Sequence, residues 1–497
     1  MAAATYSCGV PPDSPPPVPE AGGAEAGGAE AGGVQAGGVQ AGGVQAGGVQ
    51  TGGPGRWLTA LAGLVALAVL ATVAVLWLAG PGPEPGAGPG PGVATPSGAT
   101  TTDGAGVRTP PTPTRDEAVR ALLSQRARAV ATGDRAAFLA TVDPTQAEFA
   151  AAQEQLIGRL SSVPIGAWTY EITGEGPGLP EARAGELPEG AAIVRVRLTY
   201  RLDGTSTTTD REQYLTVAPR GGRWLVAGDT DASESGLDTQ RDLWDLGPVR
   251  VVRGDRTLVL ADARGADRAE LKRLVGEADR AVEDVDRLWR RDWAHGAVVL
   301  LPRTQKAMAT LIGSDGDGLA QIAAVTTGSF EDGLARGDRI VINPPAFGTL
   351  GPMGRRVVLG HEMTHVATRV TSVRPVPIWL SEGFADYVAY DASPVPLSIV
   401  ASDVLDDVRA GNGPRRLPEP ADFDAGEGDV ASAYEGAWLA ARMVAERYGE
   451  RRLVRLYEAM SDSAGPGWPE ETRDVLGVGA RQLTREWRAY LADKAGA

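Results

Sequence analysis

Only three histidines occur in the 497 residues, and two of them lie four apart in His361-Glu362-Met363-Thr364-His365. On an α-helix four residues turn about 400° and rise about 6 Å, so both imidazoles project from one face. Two nitrogens so placed suit a single Zn²⁺, which binds such ligands at about 2.0–2.1 Å. Glu362 sits one residue round from His361, beside the ligand stripe, where it can act as general base on a water at the metal. A third ligand is available seventeen residues after His365, at Glu382 in Trp379-Leu380-Ser381-Glu382-Gly383. Together the three side chains make a His₂Glu set that leaves a fourth position open for water. Asp386 follows Glu382 by one helical turn, and is the candidate acceptor for the other ring N–H of His361.

Those residues need two helices. Val357, Val358, Leu359, Met363 and Val366 supply apolar flanks for a buried helix within Gly351 to Val370, with the histidines on its remaining face. Pro375 and Pro377 break the chain beyond it, so a second helix can start near Trp379 and return its first turn to the metal. Cys8 is the single cysteine, so no intrachain disulfide is possible and a zinc site has to use histidine and carboxylate. A net charge of -15 argues against nucleic acid or an anionic membrane surface as partner.

Upstream, residues 1–56 are a Pro-rich start followed by Ala-Gly-Gly-Ala-Glu and Ala-Gly-Gly-Val-Gln repeats, too poor in large apolar residues to build a core. Trp57 to Leu78 is uncharged over 22 residues, enough at 1.5 Å each to cross a hydrocarbon layer of about 30 Å, and a tryptophan stands near each end. It reads as a transmembrane helix, the run being too long for the apolar region of a cleaved signal peptide. Arg56 abuts its entry side and the next basic residue beyond it is Arg108, which favours a cytoplasmic N-terminus and an extracytoplasmic C-terminal bulk. Residues 79–113, rich in Pro, Gly and Thr, read as a stalk.

Two folded units are expected, of α+β class. In the first, 114–232, helical spacing over Asp116–Thr132, around Ala136–Val142 and over Thr145–Leu160 precedes strands at Trp168–Ile172, Ile193–Leu202, Gln213–Val217 and Trp224–Ala227. Val194, Val196, Leu198 and Tyr200 alternate with Arg195, Arg197, Thr199 and Arg201, the pattern of a half-buried strand. Helices followed by an antiparallel sheet that ends in Arg223-Trp-Leu-Val226 resembles the nuclear-transport-factor-2-like cone fold. That resemblance implies an interior in which some members use His or Asp; this segment has no histidine, so it reads as a spacer or binding module.

A polar connector around Ser233–Asp245 leads to the second unit, 245–497. A hairpin is expected at Gly254-Asp255, a long helix over Asp267–Trp289, a strand over Ala297–Leu301, a helix over Thr304–Ile312 and a strand over Arg339–Ile342, with mostly helix from Met353. Ser314-Asp-Gly-Asp-Gly318 lacks the bidentate Glu of a calcium loop and reads as a turn.

His361-Glu-Met-Thr-His365 with Trp379-Leu-Ser-Glu-Gly-Phe-Ala-Asp386 resembles the gluzincin zinc metallopeptidases, the thermolysin-like and aminopeptidase-like group, over about Asp245 to Ala497. The resemblance implies Zn²⁺ on His361, His365 and Glu382, a zinc-bound water activated by Glu362, orientation of a zinc histidine by Asp386, and a peptide or protein substrate. It further implies a Tyr or His donor for the oxyanion; Tyr434 is preferred, Tyr387 and Tyr390 are rivals, and His295 lies upstream. By the same resemblance Arg339–Ile342 is a candidate edge for an extended peptide, an interior strand being equally consistent. A Gly-Ala-Met-Glu-Asn motif for a substrate amine is not found. The alternatives are an anchored binding or sensing protein that keeps the fold, and a zinc hydrolase of a non-peptide bond.

Overall fold

The structure, a computed structural model, describes residues 114–496 except 317, 332–333, 392, 424–428 and 463–467. The expected repeats, transmembrane helix and stalk fall in 1–113, outside the described residues. Among those described, no helix is long and apolar enough to cross a membrane.

Helix α1, Arg115–Thr132, opens on a capping box in which Thr114 and Glu117 each satisfy the other's backbone N–H, and it stops at Gly133 in the left-handed region. A short helix, Arg135–Leu139, and α2, Ala147–Leu160, follow. A four-stranded antiparallel meander comes next: β1 Ile165–Glu175, β2 Ala192–Leu202, β3 Thr209–Arg220 and β4 Arg223–Gly228. Arg195, Arg197 and Arg201 point off the packed face of β2, while Val194, Val196, Leu198 and Tyr200 are buried.

The second sheet has five strands in the order β5-β6-β7-β9-β8: β5 Val249–Arg253, β6 Leu258–Asp262, β7 Val298–Leu301, β8 Ala324–Glu331 and β9 Leu334–Ile342. Strands β6, β7 and β9 run parallel, while β5 and β8 pair antiparallel at the two edges. Helix α3, Arg268–Leu288, joins β6 to β7, and α4, Gln305–Ile312, follows β7. Arg339–Ile342 is therefore interior, between β7 and the edge strand β8.

Both faces of this sheet are covered, and its residues divide by parity. Val259, Ala261, Val299, Ile340 and Ile342 belong to one core with the C-terminal helices. Leu258, Leu260, Val298, Leu300 and Val341 join a second core with Trp168, Leu198, Tyr200 and Ile157 of the first unit. A sheet buried on both sides is why these strands are continuous apolar runs.

At the seam, one nearly buried carboxylate holds three donors. Asp242 Oδ1 accepts from Tyr200 OH at 2.8 Å, Arg211 Nε at 3.2 Å and Arg339 Nη1 at 2.7 Å. Asp242 and Arg339 are only 2% and 3% exposed. The stretch expected to be a plain polar connector thus carries the central acceptor of the seam, because two arginines that face inward from separate sheets need a shared anion.

The C-terminal half is helical: α5 Pro352–Arg369, α6 Ile378–Asp391, α7 Ser402–Arg409, α8 Val430–Tyr448, α9 Glu450–Asp462, α10 Trp468–Leu476 and α11 Ala480–Gly496. Helix α5 starts with Pro352 at its first position, where a missing N–H costs nothing. Helices α6 and α8 cross at Gly383; a Cβ there would meet the Ala437 carbonyl oxygen at 2.2 Å. That close approach sets the residue before it, Glu382, and Tyr434 on α8 around one space.

Candidate metal centre

Helix α5 passes beneath the sheet with His361, Glu362 and His365 all buried. The four-residue spacing stacks the two rings edge to face, with centroids 4.7 Å apart. Pro377 gives its carbonyl to the N–H groups of Leu380 and Ser381, starting α6 so that Glu382 comes round within its second turn.

His361 Nε2 lies 3.1 Å from His365 Nε2, and Glu382 places Oε2 at 3.3 Å from the first and Oε1 at 3.5 Å from the second. Among the described residues, these three form the single cluster of His, Cys, Asp and Glu ligand atoms able to hold a metal ion. Ligand atoms at about 2.0–2.1 Å from a tetrahedral metal stand roughly 3.3–3.4 Å from one another, close to the spacings found.

Chemistry supports the same fit. His361 Nδ1 lies 2.8 Å from Asp386 Oδ1, a contact that places a ring proton on Nδ1, and its Nε2 faces the Nε2 of His365. Both carboxylate oxygens of Glu382 are buried with no hydrogen-bond donor, in a side chain 0% exposed. Two ring nitrogens and a carboxylate that converge in a buried space with no partner beyond one another suit a bound cation.

The electrostatics agree in direction. Burial alone would lower the His361 pKa, but Asp386 and Glu382 outweigh it and hold the group well above its ordinary value. Burial would raise Glu382, yet the imidazoles of His365 and His361 bring it down to about 2. Positive charge is favoured at this point of the molecule. Glu362 is raised by burial, which the two histidines only partly offset. Asp386 is likewise raised by burial against the pull of His361.

Tyr434 is the tyrosine the structure brings to the cluster, its ring centroid 6.4 Å from that of His361 and its edge against Phe423. Tyr387 is engaged elsewhere, donating to Glu450 Oε1 at 2.8 Å. Tyr390 packs on Trp438 beside Asp386 and Glu435. His295 is exposed, its Nδ1 2.7 Å from Asp286 Oδ1 and its ring against Trp293, apart from the cluster.

One member of the site was not read from the sequence. Thr326, on β8, places its Oγ1 2.7 Å from Glu362 Oε2. Ala324 shares the core beneath the sheet and Val325 the core above it, so period-two alternation turns Thr326 toward α5.

No family model matches the chain, and no curated protein matches it. Solved structures similar to it include an M1 zinc metallopeptidase from Deinococcus radiodurans, at 14% identity and a TM-score of 0.31 over 61% of this chain and 62% of that one. A two-domain M1 zinc metallopeptidase mutant bound to L-arginine gives the same identity and TM-score over 61% of each chain. The chain spans about three-fifths of the length of the solved structures it matches. A likeness this distant carries no weight for activity; the site has to speak for itself.

Proposed function

We propose that this protein is a zinc-dependent metallopeptidase, with His361, His365 and Glu382 as metal ligands and Glu362 as general base. The observation that carries the reading is the buried convergence of two imidazole Nε2 atoms and the Glu382 carboxylate, with a second buried carboxylate, Glu362, between the two histidines on α5. Zinc held there would polarise a substrate carbonyl and make water acidic enough to be a nucleophile near neutral pH.

The chain's own residues account for the proton. Glu362 takes it from the attacking water and passes it to the leaving amine. Asp386 keeps the His361 proton on Nδ1 and fixes the ring. Tyr434, whose ring lies beside that of His361, would donate to the carbonyl oxygen as charge develops on it. What favours a peptide substrate is β8: it is an edge strand, and it reaches the base through Thr326. An extended peptide can add to such an edge by main-chain hydrogen bonds.

The anchoring span at 57–78, with the peptidase outside the cell membrane, belongs to the same proposal and rests on the uncharged run and on Arg56.

The test is Glu362→Gln. The variant should bind zinc one-to-one, as wild type does, and lose about 10²–10⁴-fold in peptide hydrolysis. Wild-type turnover in the variant would end the mechanism. Zinc binding without cleavage of any peptide by the wild type would end the peptidase reading.

A further inference from the structure

A glutamate carboxylate rotates broadly about its last bond unless an oxygen is held. Thr326 holds one. Its Oγ1 lies 2.7 Å from Glu362 Oε2 and 3.0 Å from the backbone oxygen of Glu362, in a side chain 1% exposed. The same residue is gripped a second time, its backbone oxygen accepting from Arg369 Nη1 at 3.2 Å. Arg369 also lies 3.2 Å from Asp338 Oδ2 on β9, and Gly328 of β8 has no side chain where a Cβ would strike Asp338 Oδ1 at 2.1 Å. Glu362 and Arg369 are seven residues apart, close to two turns, so both reach Thr326 from one face of α5.

We propose that Thr326 is a positioning residue for Glu362, tying the base to the edge strand of the sheet; this rests on the metallopeptidase reading. A hydroxyl has one proton to give. Donated to Oε2, it leaves Oε1 as the oxygen that faces the water, takes its proton and returns it to the amine. Oε2 remains an acceptor whether Oε1 is bare or protonated, so the contact lasts through the whole cycle. Because Thr326 belongs to the strand on which a peptide would pair, alignment of the substrate and aim of the base are set by one element.

The test uses the full chain with Thr326→Val, which keeps shape and removes the hydroxyl, and Thr326→Ser, which restores it. Kinetics, bound zinc and crystal structures of the zinc-loaded variants are compared with wild type. The valine variant should keep its zinc and its KM, lose kcat on the order of ten- to a hundredfold, and show the Glu362 carboxylate rotated. The serine variant should recover kcat to within about threefold. Unchanged kcat in the valine variant, an equal loss in the serine variant, or an unmoved carboxylate overturns the proposal. Should the valine variant not fold, Thr326→Ala is read in the same way. A wild type that cleaves no peptide removes the metallopeptidase reading alone, and the carboxylate orientation in the variant structures still decides the role of Thr326.

Discussion

Asp386 reaches the proposed metal site through a hydrogen bond, accepting from His361 Nδ1 at 2.8 Å. Losing its charge weakens the basicity of the ligating ring and frees its orientation, so Asp386→Asn should bind zinc about 10–100-fold more weakly. Competition against a chelator measures this, and an unchanged affinity would show that Asp386 is only packing. Glu435, beside Tyr434, makes a different prediction. Its Oε2 accepts from Val404 N at 2.8 Å while Oε1 is buried without a donor, and burial pushes the group up from 4.5 to about 8. Between those values the folded chain holds a proton that the unfolded chain has lost. Stability from this residue therefore falls as pH rises from about 4.5 through 8, by at most about 1.4 kcal/mol per pH unit. Glu435→Gln abolishes that dependence, so denaturant midpoints of variant and wild type should diverge in the variant's favour as pH rises. A constant gap would contradict the assignment.

At the scale of elements, the helices of the site were legible and the strand that completes it was not. The apolar residues of 357–366 lie at helical spacing around two histidines, and the prolines at 375 and 377 mark where the next helix can begin. The structure puts α5 and α6 where that spacing places them. Gly221 and Gly222, both at positive φ, turn the β3–β4 hairpin as a two-residue turn requires, while the β5–β6 hairpin turns over the four residues 254–257. Strand β8 was missed because Ala324-Val-Thr-Thr-Gly-Ser329 is small and hydroxylic and shows no clear alternation. Where both faces of a sheet are covered, the polar–apolar rhythm that reveals a strand is absent. The role of Asp242 within the polar connector is hidden for a related reason: its partners Arg211 and Arg339 lie 31 and 97 residues away, and no local pattern announces them.

For the molecule as a whole, the sequence marks two units but gives no sign that they share a core. Leu258, Leu260, Val298, Leu300 and Val341 share one core with Trp168, Leu198 and Tyr200 of the first unit and with Met308 and Leu311 of α4, so loss of the first unit uncovers part of that face, at up to about 1.5–3 kcal/mol for each side chain fully exposed. Two or three side chains so exposed would take a large part of the roughly 5–15 kcal/mol by which an ordinary domain is stable. A chain cut to 245–497 should therefore aggregate or lose its near-ultraviolet circular dichroism, whereas 114–497 should melt cooperatively. A monomeric 245–497 with a sharp melt would refute this. The helices that carry the ligands draw on the same reserve: α5, α6 and α8 rest in a large apolar core from which the ligand atoms merely project. Small zinc domains, by contrast, fold only as they bind. On the proposed reading the scaffold can be finished before any metal arrives, so loading would be a late and reversible event. Supply of the ion, wherever the folded chain resides, would then decide when the proposed activity is switched on.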